Sequence, residues 1–241
     1  MSEGAKSVSV FYPCYEDWGT MGSMVLLTVR TAERAGLDYD ITLVDDGSGP
    51  QTQEVLAEIE KRFPQVRVVH HEKNRGYGDA LRTGFASATR EWVFYTDGDA
   101  QYDVCELELL VQGASPEVDV VQGYKITRHD PFYRIIIGRL YHTFVRTMFG
   151  LHIRDVDCDF RLIRRRVFDK VKLESDSGVI CAEMMVKIEQ AGFRIAEVPV
   201  HHFARAHGKS QFFNFRRVAR TGWQLAGLWV KLILRRPRNN G

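Results

Sequence analysis

The sequence predicts an α/β protein in which a mainly parallel central sheet is flanked by helices. Three observations carry that reading. Short runs rich in β-branched and aromatic residues recur at 8–13, 41–46, 66–71 and 92–97. Amphipathic stretches of helical length separate them, at about 20–35, 52–62 and 78–89. Each apolar run also ends in acidic or turn residues, as expected where parallel strands emerge at the ligand-binding edge of an open sheet.

VSVFYP opens the chain's first strand, and the segment that follows has helical length and an apolar face. ITLVDD makes the second strand. Pro50 then suits the first position of a helix, where its missing N–H costs nothing. VRVVHH and WVFYTD complete four strands in a βαβαβα rhythm. From about residue 119 the rhythm changes. DVVQGY (119–124) reads as a strand, and FYRIIIGRLYHTFVRTMFG (132–150) as an apolar helix free of acid. CDFRLI (158–163) and RIAEVPVHH (194–202) read as strands flanking a helix near 178–191, and 213–235 is helical again. With no internal repeat, low-complexity tract or long linker, the chain reads as one domain over 1–212 with a basic amphipathic extension over 213–241.

With 44% hydrophobic and 27% charged residues in 241, the chain can bury a substantial core. That excludes disordered, collagen-like and disulfide-stapled classes. Cys14, Cys105, Cys158 and Cys181 are far apart and form no zinc or redox spacing, so they read as free thiols in a reducing compartment. The segment MSEGAKSVSV has no secretory apolar run, and no stretch reaches the roughly 20 apolar residues of a membrane span. The expectation is a cytoplasmic protein. The net charge of +2 conceals a split, because no acidic residue follows Glu197 while nine of the 33 Lys and Arg do. Such a tail is suited to an anionic partner, a membrane surface or nucleic acid. Nucleic acid lacks a recognisable RRM, KH or helix-turn-helix module, so none is expected as a partner.

The chemistry-bearing residues lie at the strand ends. In TDGDAQYD, Asp97 and Asp99 are two apart, so both carboxylates leave the same side of an extended segment and Gln101 continues it. Such hard oxygen donors suit Mg²⁺ or Mn²⁺ with open positions for phosphate oxygens. VDDGSGP places Asp45 and Asp46 at a second strand end, where they could accept from a base or ribose or could serve the turn itself. FYPCYED offers Tyr15 for stacking. NRGYG, after the third strand, gives glycines whose backbone could approach a nucleotide and Arg75 for a phosphate. Neither GxGxxG after the first strand nor GxxxxGK[ST] is present, which argues against a dehydrogenase or P-loop enzyme.

PCYED, VDDGS, NRGYG and DGDAQ, in this order and at these distances, resemble the family 2 glycosyltransferases, in particular the dolichol-phosphate mannosyltransferase and polyprenyl-phosphate glycosyltransferase group. The resemblance runs from about residue 7 to 212 and implies a GT-A fold and inverting transfer from a nucleotide-diphosphate sugar, with residues 1–212 as the catalytic domain. It places the nucleotide-sugar at Pro13, Tyr15, Asp17, Asp46, Asn74, Gly76 and Asp97, and Mg²⁺ or Mn²⁺ at Asp97, Asp99 and Gln101. It implies catalytic roles for Asp97, Asp99, Asp159 and Arg205. RAHGKSQF (205–212) is similar to the family's Arg-x-x-Gly-x-Ser loop. An acceptor phosphate would fall on Lys125, Arg139, Thr143, Arg205 and Lys209. The chain departs from the family pattern at Glu16-Asp17, where Asn-Glu is usual, and at Gly98, where Ala is usual.

A lipid phosphate acceptor needs positive charge rather than a strong base. A hydroxyl acceptor would need a base, for which Asp157 and Asp159 are the candidates unless they pair with Arg161 or Arg164. In 216–236, Arg220, Gln224, Gly227, Lys231 and Arg235 share one helical face, while Leu225, Leu228, Trp229, Leu232 and Ile233 fill the rest with Trp223 at one edge. The expectation is an interfacial helix that holds the protein peripherally on the inner face of the plasma membrane, where it meets a polyprenyl phosphate. A helix packed on the core, a soluble transferase with a hydroxyl acceptor and a non-enzymatic nucleotide-sugar module remain open alternatives.

Overall fold

The computed structural model of this protein describes residues 4–126, 142–205 and 215–234. The first half follows the expected alternation: β1 (Ser7–Cys14), α1 (Trp18–Arg34), β2 (Asp38–Asp45), α2 (Pro50–Arg62), β3 (Val66–His70), α3 (Tyr77–Ser87) and β4 (Trp92–Thr96). A 3₁₀ turn over Val104–Glu106 leads into α4 (Leu107–Gly113) and then β5 (Val120–Lys125). Residues 142–149 form α5. They are followed by β6 (Phe160–Arg164), α6 (Val167–Lys170), α7 (Val179–Gln190), β7 (Ile195–Val200) and α8 (Phe215–Trp229), which ends in a π-helical turn over Val230–Leu234. The sequence reading did not anticipate α4. Its Leu-rich run is only seven residues long and continues the 3₁₀ turn that Asp103 caps, its carboxylate accepting from the Cys105 N–H at 2.9 Å.

The seven strands form one sheet in the order β3-β2-β1-β4-β6-β5-β7. β1, β2, β3 and β4 are mutually parallel, so their carboxyl ends share one edge. β6 is inserted antiparallel between β4 and β5. Its register pairs Thr96 with Phe160, so the residue leaving β4, Asp97, and the residue entering β6, Asp159, meet at that same edge. This antiparallel insertion is what brings two distant acidic motifs together.

Each face of the sheet carries its own core. Val8, Val10, Tyr12, Ile41, Leu43 and Phe94 point to one side with α1, α2 and α4. Phe11, Val93, Tyr95 and Ile163 point to the other, against α3, α5, α7 and α8. The alternation along β1 and β4 is the period-two pattern of a strand buried on both faces.

The C-terminal helix is part of the second core. Leu225 and Leu228 are buried there, with Trp229, Leu232 and Ile233 packed beside them. Two residues of the basic stripe expected at a membrane, Arg220 and Lys231, stay exposed but pair with acids of the protein itself. Lys231 Nζ lies 2.6 Å from Glu174, Arg220 lies 3.7 Å from Asp176, and Gln224 accepts from the Ser177 hydroxyl at 2.8 Å. Exposed on the helix beside Arg220 and Lys231 are Trp223 (82%), Ala226, Val230 and Leu234, an apolar stripe at spacings of three, four and four. Among the described residues no helix is long and apolar enough to cross a membrane.

Candidate active site

At the end of β1, Pro13 is buried by its pairing with Val44 of β2, and Tyr15 beyond it is 43% exposed. The Asp17 carboxylate accepts from the Tyr15 N–H at 3.1 Å, which fixes the turn. Glu16 adopts φ 60° and aims its carboxylate at the start of α2, accepting from Gly49 N at 2.8 Å and Thr52 Oγ1 at 3.0 Å. Glu16 therefore caps a helix, since those first N–H groups have no partner within it.

Asp45 and Asp46 are turned inward. Asp45 sits 2.8 Å from His70 Nδ1 and accepts from Ser48 N. Asp46 is only 3% exposed, and three donors reach its two oxygens: His71 Nδ1 at 2.7 Å, Arg75 N at 2.9 Å and Gly76 N at 2.9 Å. Asp46 thus organises the NRGYG loop, and a base there would share the carboxylate with it. Asn74 in that loop is exposed. The loop's glycines admit the protein's own backbone. A Cβ at Gly78 would lie 2.1 Å from Ser175 O, and Gly78 N donates to Asp176 O at 3.1 Å.

The acidic centre lies where β4 meets β6. Asp97 accepts from the Tyr77 hydroxyl at 2.6 Å. Burial first, then the charges of Asp159 and Asp99, push its carboxyl well above the usual range. Asp99 is 5% exposed, and burial also raises its carboxyl, against the opposing pull of Arg205. Arg205 Nη2 lies 2.6 Å from Asp99 Oδ2, while Asp99 Oδ1 accepts from Gln101 N at 3.1 Å. Ala100 between them has φ 58°, a left-handed conformation that costs a non-glycine residue about 1–3 kcal/mol and is concentrated at functional sites.

The expected ligand trio of Asp97, Asp99 and Gln101 is not gathered as a cage. The Gln101 amide nitrogen donates to Phe203 O at 3.1 Å, and among the described residues no group of three acidic, His or Cys side chains is placed to hold a metal. Each candidate ligand has a protein partner: Tyr77 for Asp97, Arg205 for Asp99 and Phe203 for Gln101. The donor set nevertheless suits a hard divalent cation. It offers a nearly buried carboxylate at Asp99 and a half-buried one at Asp97, both raised chiefly because burial disfavours their charge.

Asp159 forms the salt bridge that its sequence context allowed. Its Oδ1 lies 2.7 Å from Arg161 Nη1 and also accepts from the Tyr95 hydroxyl at 3.2 Å and the Cys181 thiol at 3.0 Å. Arg161 is fully buried and donates further to Gln122 Oε1, Val156 O and the Tyr95 hydroxyl. A buried guanidinium with this many acceptors is a fixed positive charge behind the acidic centre. Removal from water pushes the neighbouring Asp157 carboxyl up to about 7.

Of the expected acceptor-side residues, Lys125 turns inward, its Nζ 2.8 Å from Asp157 O and 3.7 Å from Asp155 Oδ2. Thr143 is exposed on α5. Arg139 and Lys209 lie outside the described residues. So the structure brings Asp97, Asp99, Asp159 and Arg205 to one place and leaves Lys125 in a separate polar cluster. Tyr77, Tyr95, Gln122 and His71 escaped the sequence reading, which named Arg161 only as a salt-bridge partner for Asp157 or Asp159. The available signal was an Asp and an Arg two apart at the start of an apolar strand, with Tyr95 next to last in β4.

These features define a GT-A type sheet with an acidic strand-end centre. The sequence profile of Glycosyl transferase family 2 matches residues 9–172, and the chain belongs to that family. It is 29% identical over 222 residues to undecaprenyl-phosphate 4-deoxy-4-formamido-L-arabinose transferase of Enterobacter sp. (strain 638), covering 90% of this chain and 65% of that protein. The enzyme of the same name from Edwardsiella ictaluri is 32% identical over 85% of this chain and 62% of its own length. Glycosyltransferase AglD of Haloferax volcanii is 28% identical over 96% of this chain and 38% of its own. The chain thus spans less than two thirds of each of these relatives. Among solved structures, glucosyl-3-phosphoglycerate synthase of Mycobacterium tuberculosis superposes with a TM-score of 0.70 at 17% identity, over 94% of this chain and 79% of that one. Mannosyl-3-phosphoglycerate synthase of Rubrobacter xylanophilus gives 0.68 at 18% identity, over 94% and 73%. At such identities the likeness establishes the fold. The mycobacterial enzyme has been crystallised with Mn²⁺, uridine diphosphate and glucosyl-3-phosphoglycerate.

Proposed function

We propose that this protein transfers a sugar, with inversion, from a nucleotide-diphosphate sugar to a polyprenyl phosphate at a membrane surface. The observation that carries the reading is the acidic centre of Asp97, Asp99 and Asp159 with Arg205 against it, in a chain whose curated relatives include undecaprenyl-phosphate sugar transferases. Asp97 and Asp99 would hold Mg²⁺ or Mn²⁺, which when bound neutralises charge developing on the leaving diphosphate. Tyr15, exposed above the end of β1, offers its ring to the base, while Asp46 holds the Asn74–Gly76 loop beside it. A lipid phosphate is already anionic near neutral pH, so the chain's task is to hold two anions together. Arg205 and, from the sequence, Arg139 and Lys209 supply the positive charge.

The apolar stripe of Trp223, Ala226, Val230 and Leu234 supports contact with a bilayer, and the arginines at 235, 236 and 238 follow it directly in sequence. Peripheral attachment on the cytoplasmic face would put the site beside a lipid carrier. One observation favours a hydroxyl acceptor instead: a carboxyl near pKa 7 at Asp157 has the value a general base needs. Incubation with a panel of nucleotide-sugars and Mg²⁺ or Mn²⁺, with undecaprenyl phosphate or with soluble saccharide acceptors, separates the two. Sugar transferred to the lipid phosphate is the expected result. Transfer only to a hydroxyl would overturn the lipid reading.

A further inference from the structure

The contact between Arg205 and Asp99 has a consequence beyond the reaction class. Asp99 Oδ2 is 2.6 Å from Arg205 Nη2, and the Asp99 side chain is 6% exposed against 30% for Arg205. The guanidinium therefore lies on the solvent side of a nearly buried carboxylate. The chain just before Arg205 is held by the acidic turn itself. Phe203 N donates to Gln101 O at 2.7 Å, the Gln101 amide returns a bond to Phe203 O, and Tyr102 bridges His202 antiparallel. The other Asp99 oxygen is turned back to Gln101 N. Oδ2 is then the oxygen with an open approach, and a cation already stands on it.

We infer that Arg205 is the resident counter-ion of the metal seat, competing with the divalent cation for Asp99, so that metal binding expels its side chain and frees it for phosphate. This inference rests on the proposed metal role of Asp99. A guanidinium and a divalent cation on one carboxylate oxygen crowd each other, and their charges repel. With Arg205 in place, the negative charge of Asp97, Asp99 and Asp159 is partly balanced by the protein itself. When the metal replaces it, the guanidinium becomes available to an anion arriving at the same edge.

The test uses Mn²⁺ alone, without nucleotide or acceptor, and reads free Mn²⁺ by electron paramagnetic resonance across a titration of the full chain. Removing the competitor in Arg205→Gln should tighten Mn²⁺ binding at least fivefold, whereas Arg205→Lys, which keeps the charge, should stay within about twofold of the parent. Asp99→Asn is the control and should lose the site. Thermal melts of all three confirm folding. Unchanged or weaker Mn²⁺ binding in Arg205→Gln, with the site lost in Asp99→Asn, would overturn the competition while leaving the metal role intact. Undiminished Mn²⁺ binding in Asp99→Asn would overturn both.

Discussion

Asp46→Ala separates two uses of one carboxylate. In the resemblance Asp46 serves the nucleotide, whereas in the structure both of its oxygens serve the protein. His71 Nδ1, Arg75 N and Gly76 N converge on it at 2.7, 2.9 and 2.9 Å inside a site that is 3% exposed. Hydrogen bonds to a charged group contribute about 1.5–3 kcal/mol each, and buried donors left without an acceptor add their own desolvation cost. The three are not additive, because releasing the loop lets water reach Arg75 N and Gly76 N. A loss of about 3–5 kcal/mol in unfolding free energy is the expected outcome. In a domain of this size each kcal/mol moves the melting temperature by about 2–4 °C, giving a fall of roughly 6–20 °C.

The assay is urea unfolding followed by tryptophan fluorescence, paired with calorimetry of nucleoside diphosphate binding. Asp46→Asn keeps the shape and one acceptor but turns an N–H₂ toward the donors, so it should fall between Ala and the parent in both measurements. If Asp46→Ala leaves the urea midpoint unchanged while nucleotide affinity collapses, Asp46 is a ligand and not the anchor of the loop, and the reasoning fails.

Gly78→Ala would set a Cβ 2.1 Å from Ser175 O and 2.7 Å from Asp176 C, so it should destabilise by about 1–3 kcal/mol in the same urea assay; an unchanged midpoint would mean the two loops do not touch in solution. Asp157, with its carboxyl at about 7, keeps a proton that the unfolded chain releases near pH 4. The native state therefore binds more protons between pH about 4 and about 7, so stability should fall as pH rises through that window and level off above it. Asp157→Asn should reduce that slope in pH-dependent unfolding, with the raised carboxyls of Asp97 and Asp99 supplying the remainder, and an identical slope in the variant would assign it to those groups. Trp223→Ala should weaken binding to anionic vesicles in a flotation assay several-fold without lowering the melting temperature, because the ring is 82% exposed. Equal flotation of the variant and the parent would remove this stripe from the membrane.

The difference between what the sequence discloses and what it withholds is one of range along the chain. Strands β1 to β4 and their acidic ends are legible because apolar β-branched runs and Asp/Gly turns are local signals, and a parallel sheet buried on both faces amplifies them. The family motifs place Asp97 and Asp99 correctly at one edge for the same reason. Partnerships across the sheet are another matter. That Arg161 would be buried against Asp159 and Tyr95 depends on β6 entering antiparallel beside β4, a choice of topology made 64 residues after Tyr95. The fate of Asp46 likewise rests on the chain returning at His71 and Arg75, where a turn acid becomes the anchor of a loop.

The last helix carries this furthest. Its basic stripe reads as a surface for anions because no acid follows Glu197, yet the acids it needs lie earlier in the chain, at Glu174 and Asp176, and folding brings them beneath it. A charge stripe on a helix therefore names its counter-charge without saying whether that belongs to a membrane or to the protein. Here acids of the protein pair with Arg220 and Lys231, the core takes Leu225 and Leu228, and the exposed surface keeps an apolar stripe beside those two cations. Any attachment through α8 would then be driven by apolar burial near Trp223, with salt dependence supplied mainly by the arginines after Leu234. Charge reversal at Arg220 or Lys231 should accordingly loosen the helix from the body more than from vesicles.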